Sequence, residues 1–431
     1  MSHSRHASSP RGLRLPRRRF LQGAAAAAAL FGLPPIARAQ TSGKKLILIS
    51  ASGGWDVTFH LDPKANNLSV IDVPEGLVRT AGGLNYFDAT SCNGVVHSFF
   101  TQHADVASIV RGISVRSISH DVCMRRILTG APAEDAPDMG VITGATFGAS
   151  LPAPYLTLGS TSFPGNLEGA SVRQGFTNQL ALAHTVGEFT PDATEQALID
   201  GYNRTNANRM RDAVGQRGLN QRKVDDYLSS IDRVNGLREQ RQFLGQPFAV
   251  NNTLQAQMDD ALALLERDVT WAVNLSTGMV WDHHDPNAAP TGTYDGAQGQ
   301  RNQELWPALA YLADQLKTRD GSTPGSKLID ETVVVVFSEM TRTPKLNGVG
   351  GKDHWPVTSA MVFGGGAAAG RVIGETDDTL LGVPIDFATG NASASGSIME
   401  TNHFVSGVLD LVGVDPDSHL PGSPVLTALR A

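Results

Sequence analysis

The stretch VVVVFSEMTRTPKLNGVGGKDHWP, Val333 to Pro356, decides the fold. Four β-branched apolar residues in succession read as a strand buried on both faces, as in a parallel sheet. Open α/β sheets bind ligands and do their chemistry beyond the C-terminal ends of such strands. There the segment delivers Glu339, Arg342, Asp353 and His354 in quick order. A carboxylate or an imidazole at such a place is a potential metal ligand or acid-base group.

Outward from this strand, the same pattern recurs. Lys44 to Ser50 is a short apolar strand that runs into a Gly-rich turn with Asp56 at its tip. Val95 to Ala104 has a helical period, and Ala107 to Val115 and Tyr155 to Leu158 read as two more buried strands. Residues 192 to 245 turn polar and helical, predicting two helices that cover or flank the sheet. Leu254 to Leu275 predicts an amphipathic helix. Thr277 to Trp281 predicts a short strand emptying into Asp282, His283 and His284. Gln303 to Leu316 and Ser397 to Val412 predict helices, and Ser359 to Phe363 a strand ended by three glycines. Strands alternating with helices predict an α/β fold with a central, largely parallel sheet flanked by helices.

The first forty residues carry a different message. Arg17-Arg18-Arg19-Phe20-Leu21 fits a twin-arginine signal, an alanine run follows, and Ala37-Arg38-Ala39 offers a cleavage site. The apolar run is shorter than the ~20 residues of a membrane-spanning helix. The expectation is therefore a signal peptide at 1–39, handled by the twin-arginine translocase, and a single α/β domain at 40–431 that is periplasmic or extracellular. Losing residues 1–39 removes seven arginines and no acid, so the formal charge of −7 becomes more negative by as many units. Such an acidic chain, with no basic stripe, argues against a nucleic-acid partner. Cys92 and Cys123 permit a disulfide or two buried thiols.

Four places share one arrangement of strand, turn and metal-capable residue: Asp56; Asp282 with His284; Glu339; and Asp353 with His354. Since a parallel sheet brings its strand ends to one edge, these residues predict a site for one or two divalent ions among Zn, Mn, Fe and Ca. The glycines Gly364 to Gly370 do not fit the dinucleotide spacing, and there is no Gly-x-Ser-x-Gly, His-Glu-x-x-His or phosphate-loop motif. Arg342 could clamp an anion or satisfy loop carbonyls.

Several blocks carry a resemblance. They are Trp281-Asp282-x-His284-x-x-Asn287, Ser338-Glu339-x-x-Arg342-Thr343-Pro344, Gly351-x-Asp353-His354-Trp355-Pro356, and Gly364-Gly-Gly366 with Gly374-x-Thr376-Asp377. Together, from Leu46 to about Asp377, the chain resembles an exported bacterial family known as domain of unknown function 1501. It departs from that family's usual blocks at Met279-Val280, His283 and Met340-Thr341. That family in turn resembles the alkaline phosphatase and sulfatase superfamily. The resemblance implies an alkaline phosphatase-like fold and a metal-dependent hydrolase of small phosphate or sulfate esters. It further implies metal ligands at Asp56, Asp282, His284, Glu339 and His354, with Asp353 as an added candidate. Sulfatases carry a nucleophile ahead of a Leu-Thr-Gly block. Counting back from Leu128-Thr129-Gly130 lands on His120, with Ser119 beside it as the hydroxyl alternative. An imidazole there implies a ligand, a general base or a phosphorylatable group; the other outcome is a non-catalytic protein that keeps the fold and one metal.

Overall fold

The computed structural model describes residues 43–174, 191–214, 218–239, 253–288 and 291–431. The expected signal segment at 1–39 lies outside them, as do residues 215–217 and 240–245 of the expected helical stretch. The strands in chain order are β1 (Lys45–Ser50), β2 (Gly76–Ala81), β3 (Leu84–Ala89), β4 (Ala107–Ser114), β5 (Tyr155–Leu158) and β6 (Ser171–Gln174). They continue with β7 (Ala272–Ser276), β8 (Thr332–Phe337), β9 (Thr341–Arg342), β10 (His354–Trp355), β11 (Val357–Gly364) and β12 (Arg371–Ile373).

Eight strands form one sheet in the order β12-β4-β11-β8-β1-β7-β5-β6, with helices flanking it. The sheet is mixed and mostly parallel: β11 alone runs against its neighbours β4 and β8. The valine run is β8, paired in parallel with β1 from Lys45↔Thr332 to Ser50↔Phe337. Its alternate residues point into two separate cores. Val334 and Val336 join Ile47 and Ile49 on one face, while Val333 and Val335 join Leu46 and Leu48 on the other. All eight side chains are fully buried, and burying each contributes roughly 1.5–3 kcal/mol relative to exposure. Two cores on either side of one strand explain why its sequence does not alternate.

Two expectations about residues 254–281 are corrected. The helix from Leu254 ends at Glu266 and does not reach Leu275. Asp268 takes a left-handed conformation (φ 51°) that breaks it, and Ala272–Ser276 pairs instead with β1. The predicted strand at Thr277–Trp281 is a loop, because β1 stops at Ser50, opposite Ser276, and leaves nothing to pair with. The two polar helices are Ala193–Val214 and Gly218–Glu239. Cys92 and Cys123 are buried free thiols, not a disulfide. No helix among the described residues is long and apolar enough to cross a membrane.

The hairpin β2–β3 had no sequence expectation. Gly82 and Gly83, at φ 53° and 88°, supply the two positive-φ residues that a tight hairpin turn requires.

Candidate metal centre

Topology places the site. β1, β7 and β8 run parallel, so Ser50, Ser276 and Phe337 end at one edge. β11 runs the other way and begins at that edge, where Val357 lies opposite Ser114 at the end of β4. Residues just after β4, β7 and β8 and just before β11 are thus brought together over five adjacent strands. His120, Asp282, Glu339 and His354 are those residues.

Three imidazoles meet one carboxylate there. The Nε2 atoms of His284 and His354 lie 3.0 and 3.2 Å from Asp282 Oδ1, and His120 Nε2 lies 3.3 Å from Asp282 Oδ2. Each ring is held from behind at Nδ1. His354 Nδ1 donates to the Ile118 carbonyl at 2.7 Å, His284 Nδ1 faces Asp353 at 2.8 Å and His120 Nδ1 faces Glu339 at 2.7 Å. A carbonyl or an ionised carboxylate only accepts, so each Nδ1 carries a proton, and in the neutral ring Nε2 is left with the lone pair that faces inward. An outer acceptor on the far nitrogen is the usual support of a metal-bound histidine.

The donor set fits a divalent ion on two further observations. His120 Nε2 is buried and makes no hydrogen bond. His284 Nε2 and His354 Nε2 face each other at 2.8 Å, an approach of two lone pairs that only a proton or a cation relieves. His120, Asp282 and His354 each offer one ligand atom within 4.8 Å of the others. Two imidazoles and a carboxylate suit Zn, Mn or Fe better than Ca, which takes oxygen donors.

The supporting charges are fixed by burial. Arg342 is fully buried. It donates to the carbonyls of Gly54 (2.7 Å), Lys352 (3.1 Å), Trp281 (3.2 Å) and Gly53, and to Asp282 at 2.5 Å. Burial works to raise the Asp282 pKa, but the hydrogen bond and charge of Arg342 hold it well below the usual carboxylate range. The hydrogen bond to Glu339 raises His120, against the opposing effect of burial.

The other candidate residues fall in different places. Glu339 is buried, accepts from Gly53 N–H at 2.8 Å, and acts behind His120. Asp353 stands behind His284. Asp56 is not delivered to the cluster: its oxygens accept from Thr58 N–H (3.0 Å) and Oγ1 (2.7 Å), Tyr294 OH (3.0 Å) and Lys352 Nζ (2.8 Å). Arg342 is spread over loop carbonyls and is not positioned to clamp an anion. Ser119 is exposed at the N-terminus of the helix His120–Thr129. It is not among the residues lining the cleft of about 530 Å³ that opens over His120, Asp282 and Glu339. Reasoning from sequence missed Lys352 and Asn347. Asn347 donates to the His284 carbonyl at 3.0 Å and to Asp353 at 3.2 Å, tying the ligand loops together. Its one signal is the Asn-Gly turn between the strand-end blocks.

The family described as protein of unknown function (DUF1501) matches residues 251–419, which include Asp282, His284, Glu339 and His354 but not His120. Among solved structures, the chain is similar to a protein of the alkaline phosphatase superfamily from Vibrio parahaemolyticus. That match has 9% identity and a TM-score of 0.38, covering 96% of this chain and 79% of the other. It is similar to a lipoteichoic acid synthase from Listeria monocytogenes at 9% identity and a TM-score of 0.37, covering 94% and 80%. It is also similar to a phosphonate monoester hydrolase from Silicibacter pomeroyi at 11% identity and a TM-score of 0.39, covering 90% and 76%. No curated protein sequence matches the chain.

Proposed function

We propose that the chain is an exported, metal-dependent hydrolase of small phosphate or sulfate esters, carrying one ion on His120, Asp282 and His354. The convergence of three Nδ1-supported imidazoles on Asp282 carries this reading. The ester class rests on the sequence blocks that resemble the alkaline phosphatase and sulfatase superfamily, and the export on the twin-arginine signal. Three protein ligands leave a position for water or substrate, as catalytic centres require. A divalent ion held there supplies Lewis acidity to an ester oxygen and charge stabilisation in the transition state.

The chain's own residues do the rest. Glu339 holds the proton of His120 at Nδ1 and Arg342 fixes Asp282, so neither must reorient during reaction. His284, the most exposed of the three rings, is oriented by Asp353 and turns Nε2 toward the site. We assign it the general base that takes a proton from attacking water, with Asp353 stabilising the resulting imidazolium. This takes the ligand role among those the resemblance implied for His120, and moves His284 from the implied ligand set to the base.

Elemental analysis of the purified mature chain, followed by aryl phosphates and sulfates as substrates, tests the reading. One equivalent of Zn, Mn or Fe, absent in Asp282→Ala, is expected, with His284→Ala keeping the metal and losing turnover. Equal turnover by chelated protein would overturn it. A second reading, a non-catalytic protein that keeps one metal, is favoured by the imidazole at the position where sulfatases carry their nucleophile. Bound metal with every ester refused would establish that alternative.

A further inference from the structure

A phosphate or sulfate ester brings negative charge into the cleft, and the metal ligands do not account for all of it. Of the arginines near the site, Arg342 has its donors spread over four carbonyls, Asp282 and His284. Arg125 is different. It is the one arginine or lysine among the described residues lining the cleft. The helix His120–Thr129 presents positions 120, 121, 124 and 125 to that cleft, since residues four apart share a face. Cys123, Ile127 and Leu128 turn to the core.

The Arg125 guanidinium carbon lies 4.5 Å from the centre of the Phe163 ring. Stacking on an aromatic face holds a guanidinium in place while leaving its edge donors free. One of those donors goes to the Glu134 carbonyl at 3.0 Å. No carboxylate pairs with Arg125 among the described residues. Phe163 is itself fixed, because its N–H donates to the buried Asp138 at 2.7 Å. Met279 and Val280 from the loop after β7 line the same cleft, with Met124. The cleft therefore combines one oriented cation with an apolar wall, beside the metal ligands.

We infer that Arg125, braced on Phe163, is the anchor for a tetrahedral oxyanion in this cleft, and that the preferred esters carry an apolar group against Met124, Met279 and Val280. The inference rests on the hydrolase reading for the identity of the anion, but not on metal binding for its test. The residue sits five positions along the helix from His120, about 7.5 Å by helical rise. It therefore acts on substrate binding more than on the chemical step.

The experiment is calorimetric titration of the full mature chain with inorganic phosphate and with sulfate, after metal loading and after chelation. Arg125→Met is expected to weaken anion binding roughly 10–100-fold, the loss typical of a charged hydrogen-bonding partner, with metal content and unfolding midpoint unchanged. Arg125→Lys is expected to recover part of it, since a lysine keeps the charge and loses the planar fork. In turnover of an aryl ester, Arg125→Met is expected to raise KM with kcat nearly unchanged. Anion binding by Arg125→Met equal to that of the unaltered chain, or no anion binding by the unaltered chain, would overturn the proposal. If Asp282→Ala loses metal and still binds anion through Arg125, the anchor stands on its own. If no metal binds and the anion still requires Arg125, the metal reading alone fails.

Discussion

Asp56 and Asp282 both follow a strand at the same sheet edge, yet the fold puts them to opposite uses. Asp56 is fully buried, with Lys352, Tyr294 and both donors of Thr58 on its oxygens. Asp282 is partly open, is anchored by Arg342, and meets three imidazole nitrogens. In each case burial works to raise the pKa, and a neighbouring cation together with hydrogen bonds outweighs it, Lys352 with Thr58 for Asp56 and Arg342 with the imidazoles for Asp282. The difference lies in what remains unsatisfied. The Asp56 carboxylate accepts from four donors, two on each oxygen, which describes a structural pair. Around Asp282 three imidazole nitrogens converge with only Arg342 as a fixed donor, the arrangement on which the cation site is proposed. Placement at a strand end selects the candidates; the partner across the gap assigns the role.

The largest effect should come from removing the centre of the cluster. Asp282→Ala is expected to abolish stoichiometric metal binding, measured by elemental analysis after dialysis, and to lower turnover by more than the roughly 10–100-fold that loss of an outer-shell partner costs. Asp56→Asn should behave in the opposite way. The amide keeps an acceptor for Thr58 but leaves the buried Lys352 without its carboxylate, so unfolding in denaturant should show a loss of about 3–5 kcal/mol. Metal content of the folded variant should stay at the unaltered level. A metal-free Asp56→Asn protein would erase the distinction between the two carboxylates.

Asp138 is fully buried like Asp56, but no cation pairs with it among the described residues. It accepts from Val141 N–H at 2.8 Å and Phe163 N–H at 2.7 Å, but burial dominates and pushes its pKa up to about 6. The sign follows from linkage. The folded chain binds this proton more tightly than the unfolded chain, whose aspartates titrate near about 3.9. Asp138 therefore favours folding most below about pH 4, and stability falls as pH rises toward about 6, by up to about 3 kcal/mol. Asp138→Asn should flatten that part of a stability-against-pH curve. An unchanged slope would mean that the two N–H donors already keep the carboxylate ionised.

How much of this was legible in the sequence depends on where each constraint resides. The strand Thr332–Phe337 was legible to the residue, because four valines between two cores leave no alternative pattern. The strand at Ala272–Ser276 was not, since Leu254 to Leu275 reads as one helix and the left-handed Asp268 and the pairing with β1 and β5 that end it early leave no local signal. The edge that gathers Asp282, Glu339 and His354 was legible, because strand ends meet in a parallel sheet. Their roles were not. Glu339 became a support for His120 because the residue facing it comes from the end of β4, more than two hundred positions away. Lys352 reads as an ordinary solvated lysine beside Asp353, and nothing local says that it folds back onto Asp56.

The two supporting carboxylates offer the finest test of that lesson. Glu339 is buried and Asp353 is more than half exposed, although each stands behind an imidazole at 2.7–2.8 Å. Water can replace an exposed acceptor and screens its charge, whereas a buried one has no substitute. Glu339→Gln should therefore weaken metal binding toward the upper end of a roughly 10–100-fold range, and Asp353→Asn toward the lower end or below it. The His284 assignment adds a second difference. Asp353→Asn should lower kcat more than it lowers metal affinity, because its histidine is assigned as the base and not as a ligand. Equal losses of metal in both variants, with turnover falling only in proportion, would instead return His284 to the metal shell.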